Sequence, residues 1–379
     1  MPELDTLLEA LRSAEAWQRK REIASIAQHL SSPFLPTERC QETVGQKAPE
    51  ILVGDDAAAI PDGDGFLLLA AEVILPDLVT EDPYLAGRVA VLANANDIYA
   101  MGGRPVALVD TVTAPDCAVS GEILRGLKDS CRRYGVPLVG GHLTANATTS
   151  CLTAAILGRA ERLISGAGAR PGDRLLHVTS LQGEFVPARR FWNGTAHRSG
   201  EELRGDLEVL PTLAEAGLCD AGRDISMAGL LGSLLMLLEL SGVGAVVDLE
   251  SIPTPPGARD RLLDWLLASP SYGFILAVRP HHENAVGSAF AARGLTCECI
   301  GQVTPELRLR VRHRKEGRTQ EGILWDLQQQ PFMGLSTSPP PMASSPRQDQ
   351  GQVPEQQQNQ RDQPEPRDRN FSATREVRA

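Results

Sequence analysis

The chain has 379 residues, a formal net charge of −11 and 42% hydrophobic content, with aromatic residues at 4%. That acidic balance removes the electrostatic basis for general nucleic-acid binding, while the length allows two core-forming domains and a tail. Seven scattered cysteines, an odd number, do not make a secreted disulfide framework. Cys297 and Cys299 form the one close pair and read as two thiols in a strand rather than half of a metal site. No basic segment followed by an apolar core opens the sequence, and the most apolar run, Leu230 to Val247, carries Glu239 with several Gly and Ser residues. A buried helix followed by a strand accounts for that run better than a membrane span, so a cytoplasmic protein without membrane contact is expected.

Along the chain, Leu4, Leu7, Leu8, Leu11, Ile23, Ile26 and Leu30 recur at helical spacing, predicting a helix over 3–30 that Pro33 and Pro36 break. A strand at 50–53 runs into Gly54-Asp55-Asp56. The segment Pro61-Asp62-Gly63-Asp64-Gly65 then predicts a hairpin turn into a strand over 66–73 that ends near Glu72. From Asp82 a cap and Pro83 start a helix to about residue 101, with Leu85, Val89, Leu92 and Ala93 marking one buried face. A strand at 106–112, a helix at 120–134 and a strand at 136–139 follow. Gly140-Gly141-His142 reads as a tight turn before a strand at 150–157. After a boundary at 166–173, strands are predicted at 174–178, 243–249, 273–278 and 297–303. Helices are predicted between them at 201–216, 227–241, 257–268 and 281–293. This mixture indicates an α/β or α+β fold. The domains read from it are an N-terminal helical segment (1–40), a first domain (41–165), a second (166–327) and a Gln/Pro-rich disordered tail (328–379).

Carboxylates stand beside glycines or at element ends in four places: Asp56, Glu72, Asp97 and Asp224. Phosphoryl transfer uses such a set, because magnesium takes carboxylate and water oxygens and neutralises a triphosphate as charge moves. Glycines near them, at 102–103, 140–141 and 229, would let backbone N–H groups approach phosphates. Each acidic residue taken singly reads as a cap or turn residue, and only the joint arrangement favours a metal set. Asn94 and Asp97, three apart, are neighbours on the helix surface. No GxxxxGK[ST] loop or GxGxxG fingerprint occurs.

Four motifs follow one another in order: GDDAAAI (54–60), the block from Asp82 to Pro105 ending NANDIYAMGGRP, GGH (140–142) and DISMAGL (224–230). Together they resemble the aminoimidazole ribonucleotide (AIR) synthase superfamily, the PurM-like group, over roughly residues 45–305. That group includes thiamine-monophosphate kinase, selenophosphate synthetase and the hydrogenase-maturation carbamoyl-dehydrating protein. The resemblance implies two α/β domains, the first contributing strands to a barrel across a homodimer, and ATP with Mg2+ as cofactors. It implies Asp56, Glu72, Asp97 and Asp224 as metal ligands. Asn94, Gly140, Gly141, His142 and Ser226 are implied around the nucleotide. His142 stands where kinase members have Asp, and equally reads as a turn histidine bonded to backbone. Glu72 replaces the usual Asp and Ala71 the preceding Thr, and the diagnostic residues of the characterised branches are missing. The expected function is therefore ATP- and Mg2+-dependent phosphorylation of a small-molecule substrate, with possible dehydration or cyclisation to follow. The departures at Ala71 and Glu72 motivate an alternative, a non-catalytic ATP-binding or assembly protein acting with a partner enzyme. The tail is a third candidate element, as a recruiting segment.

Overall fold

A computed structural model describes residues 3–25, 53–187, 189–270, 273–315 and 317–335. Where one N-terminal helix was expected there are two, α1 (Leu4–Arg12) and α2 (Glu15–Arg21). Ala14 between them is extended, and the Ser13 hydroxyl turns back to the Glu9 carbonyl at 2.8 Å, competing with helical continuation. Leu4, Leu7, Leu8 and Leu11 are buried, as their spacing requires. The expected continuation to residue 30, the proline breaks and most of the strand at 50–53 lie outside the described residues.

The first sheet begins with the expected hairpin of β1 (Ala58–Asp62) and β2 (Gly65–Val73), closed where Asp62 faces Gly65. After α3 (Pro76–Glu81) comes α4 (Pro83–Ala100), whose cap residue Asp82 accepts the Leu85 N–H at 2.9 Å. Then come β3 (Arg104–Thr113), α5 (Cys117–Tyr134), β4 (Leu138–Thr144) and β5 (Cys151–Ala160). The order is β1-β2-β5-β3-β4, antiparallel except for the parallel pair β3 and β4. Gly140, Gly141 and His142 are therefore not a turn. They run through β4 opposite Val109, Asp110 and Thr111, because the parallel ladder supplies partners for their backbone groups. A Cβ on Gly141 would fall 2.4 Å from the Asp110 carboxylate, which explains glycine there without any turn.

The second sheet is assembled from β6 (Arg174–Thr179), beyond which β7 (Glu184–Phe185) and β8 (Trp192–Asn193) make a separate two-stranded ribbon. The helix expected at 201–216 is divided into α6 (Gly200–Leu207) and α7 (Val209–Glu215), since Pro211 has no N–H to return to the preceding turn. The chain continues through β9 (Ala221–Asp224), α8 (Gly229–Ser241), β10 (Gly244–Asp248), α9 (Leu262–Leu266) and β11 (Gly273–Val278). It ends with α10 (Glu283–Ala291), β12 (Thr296–Thr304), β13 (Arg308–Lys315) and β14 (Arg318–Asp326). Sheet order is β14-β13-β10-β12-β6-β11-β9. The β13–β14 hairpin has no clear signal in the sequence, because arginines at 308, 310, 312 and 314 disguise the buried alternation of Leu309 and Val311.

α4 departs from the one-faced helix its spacing predicts. Ala86, Val89, Leu92, Asn94, Asp97 and Ile98 are all buried, because β2, β3 and β5 pack on one side, α5 on another and β9 on a third. α4 and α5 meet backbone to backbone. A Cβ on Gly87 would lie 2.2 Å from the Ile123 oxygen, and one on Gly126 only 2.1 Å from the Tyr84 oxygen. Around α8 a second core forms, joined by α1 and Trp17. Of residues 328–335, which composition places in the tail, Phe332, Met333 and Leu335 pack against this core. The N–H groups of Phe332, Met333 and Gly334 all donate to the buried Glu239 carboxylate, at 3.0, 2.6 and 2.8 Å. The rest of the expected tail lies outside the described residues.

Candidate metal and nucleotide site

Three elements bring acidic side chains to one point. Asp56 lies just before β1, Asp97 in the last turn of α4, and Asp224 at the end of β9, where antiparallel pairing with Phe274 of β11 fixes its register. Carboxylate oxygens of the three lie within 4.8 Å of one another. Asp56 is gripped from two sides: the Asp224 N–H donates to it at 3.0 Å, and the Arg223 guanidinium pairs with it at 2.8 Å. Arg223 also donates to the Gly54 carbonyl at 3.0 Å, tying the loop before β1 to β9. Asp55, the other half of the GDD motif, points away and accepts from the Ser165 hydroxyl at 2.6 Å and the Gly166 N–H at 3.0 Å.

Burial and mutual repulsion dominate the electrostatics of the cluster. Burial pushes the Asp56 and Asp97 carboxyls well above the ordinary carboxylate range. Neighbouring carboxylates push the same way and Arg223 opposes them. Burial likewise raises Asp224 to about 6, with Arg223 and Lys20 pulling it down. Glu72, near the end of β2, opens to solvent at the rim. The cavity walls still strip water from its carboxyl and raise its pKa, against Lys20 and Arg223. Asp97 Oδ2 and Asp224 Oδ1 are buried without a hydrogen-bond partner. Buried acceptors left unpaired are costly, and a hard divalent cation with oxygen coordination satisfies them. The donor set of three close carboxylates, two with orphaned oxygens, therefore fits Mg2+.

The cluster forms one end of an open cavity of 560 Å³. Glu72, Asp97, Asp224 and Ser226 line that end, Phe191, Met227 and Leu267 give an apolar wall, and Arg19 and Lys20 of α2 reach in from a further side. The Ser226 N–H donates to the Ser233 hydroxyl at 3.0 Å, which shapes the loop entering α8. Ala228, in that loop, holds a left-handed φ of 81°, a strained conformation for a residue with a Cβ.

Of the residues expected from sequence, the fold gathers Asp56, Glu72, Asp97, Asp224 and Ser226 around this cavity. Asn94 sits one turn before Asp97 but faces the protein. Its amide donates to the Ala90 carbonyl at 2.8 Å, and its Oδ1 is buried and unpartnered. Gly140, Gly141 and His142 are exposed on β4 and take no part in the cavity wall. Two further residues at the site carry little signal in the sequence. Arg223 was signalled only by an arginine in an otherwise apolar strand beside Asp224. Lys20 carried no signal, because its closeness to the cluster is purely tertiary.

Residues 54–160 match the sequence model of the AIR synthase related protein N-terminal domain, and residues 170–314 that of its C-terminal domain. A protein of Synechocystis sp. is 44% identical over 309 residues, which cover 81% of this chain and 94% of the relative. The selenide, water dikinase of Geobacter metallireducens is 32% identical over 260 residues, 65% of this chain and 74% of that enzyme. The solved structure of AaThiL complexed with AMPPCP and TMP shares the fold at a TM-score of 0.55 and 19% identity. That match covers 76% of this chain and 97% of AaThiL. Two successive family domains over most of the described residues, on a fold of this kind, place the chain in the AIR synthase related family, with a PurM-like fold.

Proposed function

We propose that this protein is an ATP- and Mg2+-dependent enzyme that phosphorylates a small molecule in the 560 Å³ cavity. The observation that carries the reading is the buried Asp56–Asp97–Asp224 cluster, with oxygens within 4.8 Å and two of them unpartnered, opening directly on that space. A selenide, water dikinase among the relatives and AMPPCP bound to AaThiL support it. Mg2+ held there supplies charge neutralisation for a triphosphate. Asp56 is pre-positioned by Arg223, Asp97 is carried by a helix buried on three sides, and Asp224 is fixed by the sheet, so the ligands are oriented before any cation arrives. Glu72 at the rim is a further ligand with a longer arm than the aspartate it replaces.

The reading includes a second copy of the chain. Leu69, Val73, Val106, Val109, Val139 and Leu143 expose apolar side chains on the first sheet, which has β1 and β4 as its edges. An apolar sheet face of this kind needs covering, and a homodimer joined through it gives His142, Gly140 and Gly141 of β4 a place at the interface. The test is calorimetric titration of the full chain with AMPPCP, with Mg2+ or with EDTA, followed by a search for a metabolite that provokes ADP release from ATP. Saturable, Mg2+-dependent binding is expected. Binding unaffected by EDTA, or no binding, overturns the assignment.

A further inference from the structure

α2 lies outside both matched family regions, which span 54–160 and 170–314, yet it lines the same cavity as the acidic cluster. It is firmly placed. The Trp17 indole, fully buried, donates to the Ala228 carbonyl at 3.0 Å and stands edge-on to Trp325 and Phe332 at 5.9 and 5.4 Å. Lys20 is three residues further on, a neighbour of Trp17 on the helix surface, so the same anchor aims it. The other cations of the cavity are already engaged: Arg19 with Glu15, Arg189 with Glu81 and Arg190 with Asp264. Lys20 is half-buried and makes no ion pair or side-chain hydrogen bond with the described residues. It feels Glu72 and Asp224 only through space. Once a divalent cation takes up the charge of those carboxylates, Lys20 faces the cavity as a half-desolvated ammonium in need of an anion.

We propose that Lys20 is an oxyanion-binding residue of this cavity, receiving a phosphate or carboxylate group of the ligand and so giving the chain a selectivity that lies outside the family's shared domains. The inference rests on the reading of the cavity as a phosphoryl-transfer site. The oxyanion belongs either to the nucleotide's terminal phosphate or to an acidic group on the acceptor, and the two sources separate by experiment.

The full chain and its Lys20→Met and Lys20→Arg variants are titrated with AMPPCP and Mg2+, and then with inorganic phosphate, alone and after loading with AMPPCP and Mg2+. Loss of a charge-assisted hydrogen bond weakens binding about tenfold or more. If Lys20→Met weakens AMPPCP by that factor and Lys20→Arg partly restores it, Lys20 holds the nucleotide's phosphate. If AMPPCP affinity is unchanged but phosphate binding to the loaded protein is lost, Lys20 serves the acceptor. If both ligands bind the variant as tightly as the wild type, and only the melting temperature changes, Lys20 is structural and the proposal falls while the ATP reading stands. If the wild type binds phosphate through Lys20 but no AMPPCP, the ATP reading falls and the oxyanion assignment stands. Binding of neither ligand to the wild type overturns both.

Discussion

Replacing Asp97 by Asn removes one of three buried negative charges and leaves the side-chain shape almost unchanged, so the substitution isolates electrostatics. With oxygens within 4.8 Å, each ionised pair repels by about 3 kcal/mol at an effective dielectric of about 20. Arg223 offsets part of this at Asp56, and proton uptake offsets more, leaving about 1–3 kcal/mol to be relieved in the cation-free protein at pH 8. Asp97→Asn is therefore expected to melt roughly 2–5 °C above the wild type in EDTA. Magnesium reverses the order. Wild type gains about 2.7 kcal/mol when free Mg2+ reaches 100 times its dissociation constant, and the variant gains little. Two melting curves that cross as Mg2+ is added are the signature of carboxylates assembled for a cation. A variant that melts below wild type in EDTA, or that gains as much from Mg2+, would refute the reasoning, because Asp97 would then be acting as an ordinary buried hydrogen-bonding group.

Other expectations follow from the same geometry. Asp224 titrates near 6 in the fold against an ordinary value of 3.8, so the native state binds this proton more tightly than the unfolded chain. Its contribution of about 3 kcal/mol is full below the unfolded value and lost as pH rises through about 6. In EDTA, Asp224→Asn should remove that decline between pH 4 and 6.5 in denaturant melts; an unchanged slope contradicts it. In α5, Gly126→Ala should cost about 1–3 kcal/mol, because the new methyl group meets the Tyr84 backbone oxygen, and Mg2+ affinity should fall as α4 is pushed aside. In the same helix Gly121→Ala, which points into open space, should stabilise by about 0.5–1 kcal/mol, so equal effects at the two glycines would refute the packing account. Val109→Lys on the outer face of the first sheet should convert a dimer to monomer in sedimentation velocity, and a wild-type monomer removes the second copy from the function.

What the sequence revealed depended on whether the determinant was local. The β1–β2 hairpin rests on the Asp-Gly turn and is legible within a few residues, whereas α5 begins at Cys117, a turn earlier than its apolar spacing indicates, because Asp116 accepts from the N–H groups of Ala118 and Val119. Ordered motifs named Asp56, Asp97 and Asp224 and the family. Spacing could not say that α4 is buried on three sides, since its alanines and glycines fit a half-exposed helix equally well. Gly140-Gly141 looked like a turn because glycine pairs usually mark one; the constraint here is the Asp110 side chain on the neighbouring strand. Arg223 and Lys20 gained meaning only when residues far apart in the chain were brought together.

The aromatic cradle around Trp17 sets an order of events during synthesis. Trp17 emerges early, whereas Trp325 and Phe332, which complete its surroundings, emerge about 300 residues later. At roughly 5–20 residues per second that gap is about 15–60 s. Through that interval the first sheet can form, the second can form short of its β13–β14 hairpin, and the acidic cluster can assemble, but α2 lacks the aromatic contacts that seat it. The cavity wall bearing Lys20 is thus among the last parts of the molecule to settle, and a nascent chain has its acidic cluster in place before it has that wall.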